Sequence, residues 1–333
     1  MSSRAARKPA PAAPEGRAAE GPDAPILHDF RASDPEEFLS GSPRGVRHQM
    51  TVQGRGRFEA SRRRFASRGM IVSRGRTSLG VTHRTGTGDY AFFTLVEDDA
   101  PPSSMNGLRF AGGTIVLCRA GAEVHSQTPG GGAWWNLCFP PARLDHAWTA
   151  LFGTAPPARP GIARVAPISP GRRAELFAGI AVALSGVGSD LGPTLSDGLL
   201  RLALEPFGPP EDGRDVDRAT ASARRLGVVN GLVALAEAVD EPLSLLEVCA
   251  RLGVAARSLN AFSNAVLGMS AGAYLRRRRL HRVLARLRSG EAASVTEAAT
   301  RHGFWELGRF AAEYGAVFGE TPSATLRSAR ARA

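Results

Sequence analysis

Ser244-Leu245-Leu246-Glu247-Val248-Cys249-Ala250-Arg251-Leu252-Gly253 is answered fifty residues later by Ser294-Val295-Thr296-Glu297-Ala298-Ala299-Thr300-Arg301-His302-Gly303. Ser244 aligns with Ser294, Glu247 with Glu297, Cys249 with Ala299 and Gly253 with Gly303. After one inserted residue the match resumes fifty-one apart, pairing Gly268 with Gly319, Ser270 with Thr321, Ala273 with Ala324, Leu275 with Leu326 and Arg276 with Arg327. Two copies of one small unit lie in tandem between residues 240 and 333.

Each copy has the grammar of a helix-turn-helix. A Ser three residues ahead of a Glu, before an apolar periodicity, predicts a helix start capped reciprocally by both side chains. Leu245, Val248, Cys249 and Leu252 make one face in the first copy, and Val295, Ala298 and Ala299 make it in the second. Gly253 and Gly303 then supply the left-handed residue that a turn requires. A second helix follows each turn, with Leu259, Phe262 and Val266 inward in the first copy and Phe310, Tyr314 and Phe318 in the second. An ordinary helical bundle would account for one copy, but not for two with the same caps and spacing. Between them, Tyr274 to Arg288 predicts a single linking helix with Leu280, Val283, Leu284 and Leu287 on one face and Arg278 and Arg282 opposite. That arginine run is either a solvated face or a set of contacts to DNA phosphates, and two neighbouring helix-turn-helix units favour the second reading.

Gly303-Phe304-Trp305-Glu306-Leu307-Gly308-Arg309-Phe310, then Tyr314, Phe318-Gly319-Glu320-Thr321-Pro322-Ser323 and Leu326-Arg327, resemble the C-terminal signature of AraC/XylS-type transcriptional regulators. Their Gly-Phe-Trp-x-Leu-Gly-Arg-Phe form is similar to the branch that includes ethanolamine-utilisation regulators. The resemblance covers residues 224–328. It implies double-stranded DNA as a partner, a small-molecule effector, a homodimer and RNA polymerase as a further partner.

The chain carries 42 basic and 31 acidic residues over 333 positions. Residues 240–333 hold fourteen arginines against eight carboxylates, so +6 of the net +11 is concentrated in the tandem repeat, as a polyanionic partner would require. Lys8 is the only lysine, a bias that a GC-rich genome would also produce. Cys118, Cys138 and Cys249 are far apart and suggest neither a disulfide framework nor a zinc site, which points to a reducing bacterial cytoplasm. No apolar run approaches the roughly 18 residues of a membrane helix. The N-terminus shows no secretory signal.

Residues 1–25, rich in Ala, Pro, Gly and Arg, predict a disordered tail. From about residue 26 short segments alternate with turn residues. Phe58–Arg62, Met70–Val72, Ser78–Val81, Tyr90–Leu95, Thr114–Cys118 and Trp134–Phe139 predict strands, with Asn106-Gly107 as a tight hairpin turn. Many short strands argue for a β-sandwich or small barrel. Residues 144–210 turn helical and are broken at Pro156–Pro160 and Pro206–Pro210. Pro209 to Gly213 is the linker candidate, and Val216 to Val239 predicts the first helix of the C-terminal domain.

The family resemblance places a degenerate cupin-like sensor at 26–150, a helical connector at 151–213 and the DNA-binding domain at 214–333, an α+β chain overall. Against the second cupin motif, Gly113 and Gly121 fit. Arg119, however, replaces the Pro, and Val124 stands where the metal-binding His belongs, with His125 one residue off and on the opposite strand face. No metal and no cofactor is expected, and no catalytic residue. His83, His125, Trp134 and Trp135 are the effector-pocket candidates, since small-molecule sites are concave, apolar and aromatic with a few polar groups. The connector helices would pack on their own barrel or form a dimer contact.

Base contacts in a helix-turn-helix come from the exposed N-terminal half of the second helix. Matching the family pattern residue by residue puts Arg257, Ser258, Asn260 and Ala261 there in the first copy, with Arg257 suited to guanine and Asn260 to adenine. The second copy offers Trp305, Glu306, Leu307, Gly308, Arg309, Ala311 and Ala312. Arg278 and Arg282 would meet phosphate. The sequence thus points to a ligand-responsive, sequence-specific transcription regulator. The alternatives are a sequence-independent architectural DNA protein and a cupin enzyme with a DNA-binding appendage.

Overall fold

The computed structural model describes residues 25–40, 48–53, 56–67, 69–86, 88–156, 163–186, 192–208, 214–239 and 241–331. The expected tail up to residue 24 and the linker candidate at 209–213 lie outside them.

Two antiparallel sheets form the N-terminal half. One contains β1 (Ile26–Ala32), β3 (Ala60–Ser67), β4 (Met70–Thr77), β11 (Gly132–Phe139), β6 (Ala91–Val96), β9 (Thr114–Cys118) and β12 (Arg164–Pro167), in that spatial order. The other contains β2 (His48–Gln53), β5 (Gly80–Gly86), β10 (Glu123–Thr128), β7 (Ser103–Met105) and β8 (Leu108–Phe110). Asn106 and Gly107 join β7 to β8 with φ of 51° and 81°, the two left-handed residues that a tight hairpin turn matching strand twist requires. The alternation of side chains splits each strand between two environments. On β11, Leu137 and Phe139 face the outer side of the larger sheet, whereas Trp134 lies between the sheets across Gly75, where a Cβ would fall 2.4 Å from the indole.

Helix α1 (Pro35–Ser40) follows β1, with Phe38 buried beside Met50, Val52 and Val81. Helices α2 (Pro141–Phe152), α3 (Pro170–Ser185) and α4 (Gly192–Leu204) cover the outer face of the larger sheet. Leu144, Trp148, Leu176, Ile180, Leu199 and Leu204 share a core there with Val72, Phe93 and Leu137. Arg173 rivets α3 to the sheet: its guanidinium donates to Val96 O at 2.8 Å and pairs with Asp98 at 3.0 Å. Of the two roles open to the connector helices, packing on their own β domain is the one their buried faces serve.

Among the described residues the C-terminal half has only helices: α5 (Arg214–Ala238), α6 (Leu245–Leu252), α7 (Ala256–Leu267), α8 (Ala271–Arg288), α9 (Val295–Arg301), α10 (Leu307–Phe318) and α11 (Pro322–Arg330). It has two cores. Val229, Leu232, Val248, Leu259, Val266 and Leu275 form one, and Leu280, Val283, Leu287, Ala298, Phe310 and Tyr314 form the other. The 18 residues of α8 contribute their first half to the first core and their second half to the second.

The outer face of the smaller sheet docks on this domain through polar contacts. His125 Nε2 lies 2.6 Å from Asn230 Oδ1 on α5, Gln127 donates to Val266 O at 2.5 Å, and Arg277 donates to Val52 O at 2.6 Å. Among the described residues no helix is long and apolar enough to cross a membrane.

Candidate nucleic-acid interface

The first unit has the reciprocal cap its sequence predicts. Ser244 Oγ accepts from Glu247 N at 3.2 Å while Glu247 accepts from Ser244 N at 2.8 Å, and these hydrogen bonds hold the Glu247 carboxyl below its ordinary pKa. The second unit keeps only half of it. Ser294 Oγ accepts from Glu297 N at 3.0 Å, but the Glu297 carboxylate is taken by Arg286 of α8 at 2.9 Å. A charged partner outcompetes a single backbone amide. The repeat also extends one helix further than its turn glycines: Ser270 caps α8 and Thr321 caps α11, each accepting from the amide three residues on at 3.2 Å.

The segments that would read DNA are exposed. On α7, Arg257 and Ala261 face solvent, with Ser258 half-buried. In the second unit Trp305 and Glu306 precede α10 rather than opening it, and Trp305 is 77% exposed. Leu307, Gly308, Arg309 and Ala312 are also exposed, while Ala311 is partly buried against the second core. Glu306 lies 3.9 Å from Arg309.

Three assignments change. Asn260 is not directed at bases: its Oδ1 accepts from Ala271 N at 3.1 Å, tying the recognition helix to the start of α8. Arg282 is not a phosphate contact. Its guanidinium donates to the carbonyls of Ala236 at 2.8 Å, Glu237 at 3.2 Å and Val239, closing the C-terminus of α5 where unpaired carbonyls and the helix dipole favour a cation. Arg278 lies half-buried between α8 and β2. The rest of the run is engaged too, Arg276 on Glu313 at 2.6 Å, Arg279 over the Phe304 ring at 5.5 Å and Arg288 on Asp34 at 2.8 Å. The face opposite the apolar stripe of α8 is covered by α5 and the smaller sheet, so helical period alone misread it as open.

Arg251 and Arg301 were missed. Both are exposed, and both sit in the last turn of the first helix of their unit. Their offset of fifty, the same as that of the caps, is the signal that could have found them.

The four effector candidates are not brought together. Trp135 packs outside the larger sheet on Phe177 of α3 at 4.8 Å, under the Arg74 guanidinium at 5.2 Å. Trp134 lies between the sheets with its ring edge to Phe38 at 6.5 Å. His83 stacks on His48 at 5.2 Å, and burial, then His48 and Arg62, lower its pKa to about 3. His125 lies in the domain junction on Asn230.

A helix-turn-helix domain model matches residues 248–328. The chain is 37% identical over 105 residues to a probable thc operon regulatory protein of Rhodococcus erythropolis, covering 31% of this chain and 32% of that one. It is 44% identical over 73 residues to XylDLEGF operon transcriptional activator 1 of Pseudomonas putida, covering 21% and 22%. The chain thus matches a third or less of the length of these curated relatives. Among solved structures, a probable AraC family transcriptional regulator from Rhodopseudomonas palustris is 32% identical, over 31% of this chain and 97% of that one, with a TM-score of 0.30. The AraC-like activator CuxR is 15% identical over 78% of this chain and 96% of that one, with a TM-score of 0.40. With its signature residues set in two capped helix-turn-helix units inside the stretch that the domain model matches, the chain belongs to the AraC/XylS-type family of transcriptional regulators.

Proposed function

We propose that the chain is a sequence-specific, DNA-binding transcriptional regulator that responds to a small-molecule effector and works in the cytoplasm at the nucleoid. The division is a sensor at 26–150, a connector at 151–213 and a DNA-binding domain at 214–333, with RNA polymerase and a second copy of the chain as partners. One observation carries this reading: two recognition segments, each exposed along its N-terminal half, are held at a fixed separation by one continuous helix. Arg257 reads a base edge in the first segment, Trp305, Leu307 and Arg309 present the second, and Arg251 and Arg301 meet phosphate. Effector binding alters the presentation of these segments by shifting a pre-existing equilibrium between arrangements of the two domains.

Selection of the full chain on a random duplex library tests the proposal. Enrichment of a two-segment motif is the expected result. Equal affinity for all sequences, falling steeply with salt, would favour the architectural reading, toward which the small side chains of Gly308, Ala311 and Ala312 point.

A further inference from the structure

A cavity of about 960 Å³ lies where α1 and β2 face α8 and the end of α10, so both domains build its walls. Phe58, Leu79 and Met50 line the β-domain side, and Leu284, Val317 and Phe318 the other. Three polar atoms of lining residues are buried and find no hydrogen-bond partner among the described residues: His48 Nε2, Arg278 Nε and His281 Nε2. Buried polar atoms are nearly always paired, and these three share one cavity, where a single occupant would meet them together.

The charges decide what that is. Arg288 is matched by Asp34 at 2.8 Å, with Glu36 at 3.9 Å, and Arg282 is spent on the end of α5. Glu320 accepts from the Thr325 hydroxyl at 2.7 Å, and Arg57, more exposed, lies 3.8 Å from Glu59. Arg278 makes no ion pair among the described residues, though Glu241 lines a small cleft with it. Both histidines are neutral: burial, then Arg62, lowers the His48 pKa to about 4, and burial, then Arg278, Arg277 and Arg288, lowers that of His281 to about 3, with Asp34 opposing. Two neutral imidazoles with unmet nitrogens beside one guanidinium outside any ion pair among the described residues form a hydrogen-bonding, positive corner in a mostly apolar cleft.

We propose that this cavity, where the β1 and β2 edges of the two sheets meet the C-terminal domain, is the effector site, and that it takes a small organic anion. The charged group lies against Arg278, His281 and His48, and an apolar body lies against the six apolar side chains named above. The effector role rests on the regulator reading, whereas the ligand site itself does not. Because an occupant touches α8 and β2 at once, it acts on the junction that sets how the DNA-binding domain is held.

The test uses the full chain and two fluorescent probes with the same aromatic body, 1-anilinonaphthalene-8-sulfonate and uncharged N-phenyl-1-naphthylamine, titrated without DNA. The sulfonate should bind one molecule per chain and more tightly than the neutral probe. Arg278→Gln should weaken the sulfonate about tenfold or more, the size of a lost charge-assisted contact, and leave the neutral probe within about twofold. Ala285→Trp, which fills the cleft from an exposed position on α8, should lose both probes while thermal unfolding stays cooperative. Equal affinity of the two probes for the parent chain, or an unchanged sulfonate affinity in Arg278→Gln, would overturn the inference. If the cavity fails this test but the chain still selects an operator, the regulator reading stands. If the probes bind as expected but no operator is selected, the ligand site stands and the regulator reading falls.

Discussion

Arg84 on β5 and Glu237 in the last turn of α5 meet at 2.7 Å across the domain junction. Arg84 also pairs with Glu123 on the neighbouring strand β10, so the guanidinium is held on the smaller sheet whether or not the junction is closed. Around this pair the junction is made of hydrogen bonds rather than an apolar core, which is the composition of an interface that opens at modest cost. Glu237→Ala should therefore weaken the junction by about 1 kcal/mol without unfolding either domain. Faster hydrogen exchange confined to the backbone amides of β5, β10 and the end of α5 is the expected signature. Exchange that accelerates throughout the cores would contradict it.

Arginine substitutions should fall into three classes. Arg257→Ala should cost about 1–3 kcal/mol on the preferred duplex and relax preference at one or two base pairs. Arg251→Ala or Arg301→Ala should weaken all sequences alike and lower the log-salt slope by about 0.9 each. Arg282→Ala should leave that slope unchanged and instead destabilise the C-terminal domain by about 1–3 kcal/mol, because it strips the carbonyls at the end of α5 of their donor. Salt-dependent binding titrations and denaturant melts on the same proteins separate the three.

That third class shows where sequence reading stopped. The caps at Ser244 and Ser294, the turn at Asn106-Gly107 and the apolar stripe of α8 depend on neighbours within a few residues, so they were legible. The partners of Arg282, Asn260 and His125 are set by tertiary packing, and nothing local to them marks it. Strands β1, β2 and β10 went unrecognised for a related reason: they carry charged and polar side chains on the faces that meet other charged groups, such as Asp29 with Arg63 at 3.0 Å. Hydrophobic alternation is blunted there. Arg164–Pro167, inside the stretch expected to be helical, is instead β12, a four-residue edge strand on β9 too short to show any periodicity.

Acid should destabilise the protein before most carboxylates titrate. His48, His83 and His281 are pushed down to about 4, 3 and 3 from an ordinary 6.5, so between these values and 6.5 the unfolded chain binds more protons than the folded one. Stability is then fully present above pH 6.5 and falls as pH drops below it, by at most about 1.4 kcal/mol per unit per histidine. Melting temperatures measured from pH 7.5 to 5 should decline, and His281→Phe should flatten the decline. An unchanged slope in that variant would show that its imidazole does not contribute.

Two recognition segments held on one rigid spacer should demand a fixed operator spacing. Inserting five base pairs between the two half-motifs turns one of them to the far side of the duplex and should abolish simultaneous contact, reducing affinity to that of one segment. Footprints protecting only one half of the lengthened site would bear this out, and undiminished two-segment protection would refute it.

The continuity of α8 through both cores also makes its length a screw setting. Each residue added to an α-helix advances it by about 1.5 Å and rotates everything beyond by about 100°. One inserted residue would therefore swing the second unit to a different side of the first. Seven would bring it back to within about 20°, but roughly 10 Å further along, a distance over which B-DNA itself turns by about 110°. No short insertion or deletion restores both phases. The side chains that read bases can drift one at a time while the count of residues between Ser270 and Ser289 cannot.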